Sequence, residues 1–367
     1  MRPIQIQPLQ TDEQFKKYAD FPEEVYRDDP CWVPRPPGSL FNLLSGRAAR
    51  CQTLDVQPFW AESEGQLVAT ATAVIDREYN QRWQEKLGHL TSFEALPDSD
   101  TAVRQLLDAV AKWLRGRDCT AIRASYLGGW QLPLTIDGYG VPPSAFHGYN
   151  PPGYHNYLKS SDFQTEKGMV EYQLRLTPEL AESHRRIVAS AEGKGTRFRC
   201  WDGARIAEEA ALYGRVMNES FSEHWGMMAF PDDHFKGLAG KRAVVPEFQF
   251  FAEVDGQIAG VVSSPPNVSQ ALLAARRGGF GVESPEYADA WEKIDHGILL
   301  TIGVKKEFRG RGIAAALAAK SYLAMHERGY KLASYTPVVD DNWASRRTAE
   351  KVGGRVVRNY VIYRRDL

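Results

Sequence analysis

Cysteine is scarce in this chain. Cys31, Cys51, Cys119 and Cys200 lie far apart in 367 residues, with no Cys-x-x-Cys pair among them. Neither a disulfide scaffold nor a zinc knuckle is indicated by that spacing, which leaves buried or free thiols. Long apolar runs are missing too. No stretch approaches the roughly 18 apolar residues of a membrane-spanning helix, and MRPIQIQPLQTDEQF has no apolar run behind its arginine, so neither a membrane anchor nor a secretory leader is expected. There is no excess of either charge: 45 Lys and Arg face 46 Asp and Glu, for a net charge of −1. That balance argues against a general electrostatic hold on nucleic acid. Short basic pairs such as Arg185-Arg186 and Arg276-Arg277 read as solvated faces. The expectation is a soluble, cytoplasmic protein, a monomer or homodimer, with no membrane or nucleic-acid partner.

What is present is core material. The chain is longer than one average domain, and 43% apolar and 11% aromatic residues suffice for two cores. Ile4–Pro8 reads as a strand, and Thr11 as the cap of a helix with Asp12 and Glu13 in its first turn. Phe59–Glu62 and Leu67–Ile75 flank Ser63-Glu64-Gly65 as a hairpin. Leu90–Ala95 is a strand, Thr101–Leu114 an amphipathic helix, and Thr120–Tyr126 a strand. Tyr149-Asn150-Pro151-Pro152 opens a helix running through Leu158, and Val170–Leu176 is again extended.

The second half repeats this order in outline. A strand at Thr196–Trp201 precedes a helix from Ala204 to Phe221, and a hairpin over Phe248–Val262 turns on Asp255-Gly256. An apolar strand then closes at Val304, and the basic loop Arg309-Gly310-Arg311-Gly312 leads into an alanine-rich helix from Ile313. That succession makes an anion cradle: glycines let the backbone approach a ligand, and the first N–H groups of the helix point at it unsatisfied. No Gly-Lys-Ser/Thr follows, and the glycine spacing differs from the dinucleotide fingerprint. In the first half, Leu96-Pro97-Asp98-Ser99-Asp100 stands where the cradle should be. Its carboxylates and hydroxyl are expected to cap the helix themselves and to repel an anion.

Arg309-x-x-Gly312-x-Ala314, entered from a strand ending in Val304, resembles the acetyl-CoA signature of the Gcn5-related N-acetyltransferases (GNAT). The following strand Lys331–Pro337, Asp341-Asn342 opening the helix Ala344–Lys351, Gly353-Gly354 and the β-rich run 356–363 continue that family's order over about the last seventy residues. The resemblance implies an α/β (α+β) fold of two tandem GNAT-like domains, each a mixed, mostly antiparallel sheet flanked by helices. Residues 1–177 form a copy without a phosphate loop, and residues 178–367 carry the acetyl-CoA site. Positions 178–195 form a linker helix, apolar at Leu180, Ile187 and Val188.

By the same resemblance, acetyl-CoA is the donor and no metal is used. Its pantetheine would pair with Ile302, Gly303 and Val304. Its diphosphate would take backbone N–H groups of Arg309, Gly310, Arg311, Gly312, Ile313 and Ala314, while Asn342 and Ser345 complete the contact. The N–H near Ile302 would polarise the acyl carbonyl, as an oxyanion donor does in any acyl transfer. The usual catalytic positions depart from the family: Ile298 and Leu300 are apolar where a base often stands, and Ala349 replaces a tyrosine acid. Alternation along the strand next offers His296 as the base. Tyr335, Tyr360 and Ser345 remain as proton donors, with Tyr360 carried as the catalytic candidate. Phe221–Phe235 supplies His224, Trp225 and Asp232 for a small-molecule amine acceptor, and the spacing of His224 to His234 gives no metal-ligand pattern. The activity expected is acetyl transfer to an amine by direct attack. A non-catalytic acyl-CoA-binding protein is the alternative, and an aminoacyl-tRNA-dependent transferase a more distant one.

Overall fold

The computed structural model describes residues 3–124, 126–127, 130–230, 242 and 244–367. Asp232, with Asp233 and His234, lies outside them. The chain forms two compact units, Met1–Met169 with Asn359–Leu367, and Val170–Arg358. Where the sequence suggests one division at 177/178, the structure divides within two strands, Gln164–Arg175 and Arg355–Asp366. The first unit thereby takes its last strand from the end of the chain.

The first unit is built on a sheet in which Ile4–Pro8, Leu54–Ser63, Gln66–Asp76 and Leu87–Ala95 are antiparallel neighbours. Leu87–Ala95 then pairs in parallel with Ala121–Ala124, which pairs antiparallel with Tyr363–Asp366. The hairpin at Glu64-Gly65 turns with φ of 54° and 79°, the left-handed pair that a two-residue turn needs. Thr11 forms a reciprocal capping box with Gln14 at the start of Asp12–Val25. The helix Asp100–Arg115 lays Val103, Leu106, Leu107, Val110 and Leu114 into this unit's core.

The second unit has two separate ladders. Thr196–Cys200, Phe250–Val254, Gln257–Ser263 and Thr301–Val304 form an antiparallel sheet. His296–Leu299 instead pairs in parallel with Leu332–Tyr335, part of the strand Leu332–Val339. What separates them is Leu300, which belongs to neither ladder and donates its N–H to Ser263 O at 2.9 Å. One extended segment therefore changes sheets at a single residue. Over this unit runs the helix Ile313–Glu327, whose Ala316, Leu317, Ala318, Ala319 and Tyr322 are fully buried. Small side chains let the backbone of that helix lie close to the sheet on one side and to the helix Pro178–Glu192 on the other. His184 and Tyr322 mark the second contact, with ring centroids 5.6 Å apart.

Two helices, Ser269–Gly278 and Pro285–Glu292, lie between the hairpin and the strand at His296, in a stretch for which the sequence reading offered no element.

Candidate active site

Because the strand divides at Leu300, Thr301–Val304 keeps a strand partner on one side only among the described residues, and a groove opens between it and Tyr335. Lys305 N–H bonds to Ala259 O at 2.9 Å. Alternate N–H groups of an antiparallel strand point in opposite directions, so those of Ile302 and Val304 point toward the open side. The groove encloses about 680 Å³, enough for an extended, arm-like ligand. Its floor comes from Ile302, Gly303 and Val304, and its walls from Phe221, His224 and Tyr335.

The basic loop closes one end. Gly310 and Gly312 have φ of 81° and 83°, and Gly312 is the N-cap of Ile313–Glu327 with no side-chain cap bond. The first N–H groups of the helix therefore stay open to a ligand, with the positive end of the helix dipole behind them. Arg309 fastens the loop. Its Nε donates to Val304 O at 3.1 Å and its Nη2 to Ser220 O at 2.8 Å, strapping the loop to the strand end and to the end of the helix Ile206–Ser220. Arg311 is exposed instead.

At Asn342, cap and groove wall coincide. Its Oδ1 accepts the Ser345 N–H at 3.2 Å, and both residues line the groove. Ser345 Oγ lies 3.0 Å from the Tyr335 hydroxyl. Burial pushes the Tyr335 phenol up to about 12, against the lowering effect of the Ser345 contact, so the phenol keeps its proton at neutral pH. Burial also holds the His224 imidazole below its ordinary value, Asp341 opposing and Arg309 assisting, so the ring is a neutral base at pH 7. The His224 ring packs edge-on against Phe221, with centroids 5.4 Å apart. Ser220 adds a buried hydroxyl beside the groove that has no partner among the described residues. A Cβ on Gly303 would stand 2.8 Å from Ser220 Cβ, so only glycine lets that helix end meet the strand.

The structure thus brings together Ile302, Gly303, Val304, Arg309, Gly310, Gly312, Ile313, Ala314, Asn342, Ser345 and His224 along one groove. Arg311 lies on a neighbouring cavity.

Other sequence candidates are not brought there. His296 is buried away from the groove: Asn267 Nδ2 contacts its Nδ1 at 2.9 Å, and its Nε2 contacts Ser334 Oγ at 2.8 Å, which in turn reaches Glu171 at 3.3 Å. The alternation that pointed to His296 is valid within one ladder, and the break at Leu300 interrupts it. Tyr360 belongs to the first unit, where it is buried with its ring 6.2 Å from that of His147. Trp225 does not line the groove. Tyr335, Ser220 and Phe221 carry more of the site than the sequence suggests. Tyr335 had a signal, a tyrosine on the strand after the cradle helix, and Phe221 opens the aromatic stretch 221–235, while Ser220 had none.

The corresponding loop of the first unit is filled by its own side chains, though not as expected. Ser99 makes no capping bond; its Oγ donates to Pro97 O at 3.4 Å. Tyr157 occupies the turn, its hydroxyl accepting the Ser99 N–H at 3.2 Å and donating to Leu96 O at 3.1 Å. Asp100 stands in the helix's first turn.

Comparison with known proteins bears on family and fold. The family model described as Acetyltransferase (GNAT) family matches residues 215–354. A protein of Caulobacter vibrioides named bacterial ceramide synthase is 24% identical over 375 residues, covering 99% of this chain and 98% of that one. Among solved structures, a tandem GNAT protein from the clavulanic acid biosynthesis pathway superposes with a TM-score of 0.58 at 14% identity, covering 99% and 98% of the two chains. A GCN5-related N-acetyltransferase from Sphaerobacter thermophilus gives 0.55 at 14% identity, covering 100% and 97%. The two structural likenesses are of fold. Among the described residues, no helix is long and apolar enough to cross a membrane, and no cluster of three or more His, Cys, Asp or Glu is arranged to hold a metal.

Proposed function

We propose, for a chain whose residues 215–354 form a GNAT acyltransferase domain within a tandem GNAT fold, that it transfers an acyl group from an acyl-CoA thioester, acetyl-CoA in the simplest case, to the amine of a small molecule. The observation that carries this reading is the single groove joining an anion cradle at Gly312 to the outward N–H of Ile302, with Tyr335 and His224 on its walls. The cradle suits a diphosphate, and the half-paired strand suits an amide-bearing arm that needs main-chain partners.

In the reaction, the Ile302 N–H stabilises charge developing on the acyl oxygen. The amine nitrogen attacks the acyl carbon and the C–S bond breaks. His224 takes the proton that the nitrogen sheds, and the Tyr335 hydroxyl gives one to the departing sulfur. Likeness to the Caulobacter protein along nearly the whole of both chains supports a second reading within the same chemistry. A ceramide is a fatty amide of a long-chain amino alcohol, so that reading has a longer acyl donor and a lipid amine.

The test is thiol release from acetyl-CoA and palmitoyl-CoA across short amines and long-chain 2-amino alcohols, with Gly312→Glu as the control. Turnover with at least one pair is expected, and the variant is expected to bind CoA about tenfold more weakly or worse. It places a carboxylate at the positive helix end and a side chain at φ 83°. Tight CoA binding without turnover on any pair would favour a non-catalytic acyl-CoA-binding protein instead.

A further inference from the structure

Beside the groove lies a second cavity of about 250 Å³ that no step above uses. The two share Gly312 and Lys351 as common walls, and Arg311 lines the second alone, so the second continues the first beyond the cradle. Its other wall is the helix Pro178–Glu192 and the residues just after it, through Arg186, Ser190 and Lys194. That helix precedes the matched family region, which begins at residue 215.

The charge of this cavity is one-sided. Arg186, Lys194, Arg311 and Lys351 line it, and no Asp or Glu does. All four cations are exposed, and among the described residues none has a side-chain ion pair or hydrogen bond; Arg311 lies over the Phe308 ring at 5.5 Å. Several other cations of this unit do have a carboxylate partner: Arg185 with Glu182, Arg205 with Glu208, Lys305 with Glu219, Lys306 with Glu223. Four unpaired like charges around one concavity repel one another, and a bound anion relieves that repulsion. Two further features match. Ser183 and Ser190 add hydroxyl donors to the rim, and Gly312 at the junction carries no side chain to separate the cavities.

A ligand held at the cradle by an internal diphosphate would, on leaving the groove past Gly312, present whatever it carries next to these four cations. We infer that this cavity is a receptor for a second, terminal phosphate on the nucleotide end of the donor, the 3′-phosphomonoester of CoA. The inference rests on the acyl-CoA reading above and deepens it. Leading helix and cradle together select a nucleotide-borne donor that carries this phosphate over the same thioester without it.

Titration calorimetry on the full-length protein with CoA and with 3′-dephospho-CoA tests this, on wild type and on the double variant Arg186→Gln/Lys194→Gln. Both substituted side chains are exposed and lie outside the groove, so folding is expected to survive, which thermal unfolding checks. Wild type should bind CoA roughly tenfold to hundredfold more tightly than dephospho-CoA, the range of one or two charge-assisted contacts. The variant should bring CoA down to the level of dephospho-CoA and leave dephospho-CoA unchanged. CoA binding should also weaken more steeply with salt in wild type than in the variant. Equal wild-type affinity for the two ligands, or a variant that weakens both alike, overturns the terminal-phosphate receptor and leaves the CoA groove standing. Failure of both ligands to bind wild type overturns the groove assignment and this inference together.

Discussion

In the proposed reaction, Tyr335 and His224 divide the proton traffic of the groove by the same physical cause acting on opposite charge types. Burial disfavours the charged form of each, so the phenol keeps its proton and the imidazole stays neutral. Tyr335→Phe is accordingly expected to lower kcat by about 10²-fold or more, with CoA affinity unchanged by calorimetry. A fall in affinity with kcat retained would assign the phenol to packing. For His224 the sign is equally definite. A depressed pKa keeps the base form dominant down past the ordinary 6.5, so with an acceptor amine of low basicity the acid limb of kcat/KM lies below pH 6.5 and moves or vanishes in His224→Gln. Arg309 shows how a residue read correctly as part of the loop acts otherwise than its charge suggests. Its guanidinium donates from Nε to Val304 O and from Nη2 to Ser220 O, so part of its donor set holds the loop in place.

Among the elements, the helices and hairpins were largely legible because their signals are local. The cradle helix Ile313–Glu327 follows from glycines and an alanine-rich run, and Pro178–Glu192 from the spacing of Leu180, Ile187 and Val188. What local signals do not carry is contact between elements. Gly353, with φ 94°, ends the helix Trp343–Lys351, and a Cβ there would stand 2.7 Å from Leu180 Cδ1 of the leading helix. His184 fastens the same junction, Nε2 lying 2.8 Å from Val352 O. Gly353→Ala is therefore expected to cost about 1–3 kcal/mol, from backbone strain and overpacking together. Urea denaturation checks it, and a midpoint unchanged from wild type would mean that the leading helix shifts freely.

For the molecule as a whole, the stability profile with pH follows from histidines held neutral. Burial lowers His89, His155, His184 and His224, and for His89 the nearby Arg123 charge adds to it. The unfolded chain takes up these protons near pH 6.5 while the folded chain does not. The stability they confer is full above pH 6.5 and falls as the pH drops below it, by up to about 1.4 kcal/mol per pH unit for each group. Glu94 acts the other way: burial pushes it up to about 7, so folding retains its proton and it favours the folded state less as the pH rises from 4.5 toward 7. A difference between variants isolates one histidine from this background. His89, buried with its ring edge-on to Tyr79 at 5.4 Å, is the one lowered furthest in the first unit. His89→Leu should flatten the loss of that unit's unfolding free energy between pH 7 and 5. An unaltered slope would show that His89 is protonated in the folded protein.

By itself the sequence determined the anion cradle, the strand before it, the asparagine-capped helix after it and the repeated order of elements. Each is encoded by glycines, caps and periodicities within a few residues of one another. Which side chains line the groove as candidate catalytic groups was decided by tertiary structure alone. A one-residue break at Leu300 sends two halves of one extended segment to different partners, buries His296 in a polar network and opens the groove beside Tyr335. It also fixed which unit the last strand completes, since Asn359–Leu367 joins a sheet begun at Ile4. Pairing across such separations depends on which ladder accepts an edge, and no local pattern in the chain records that choice.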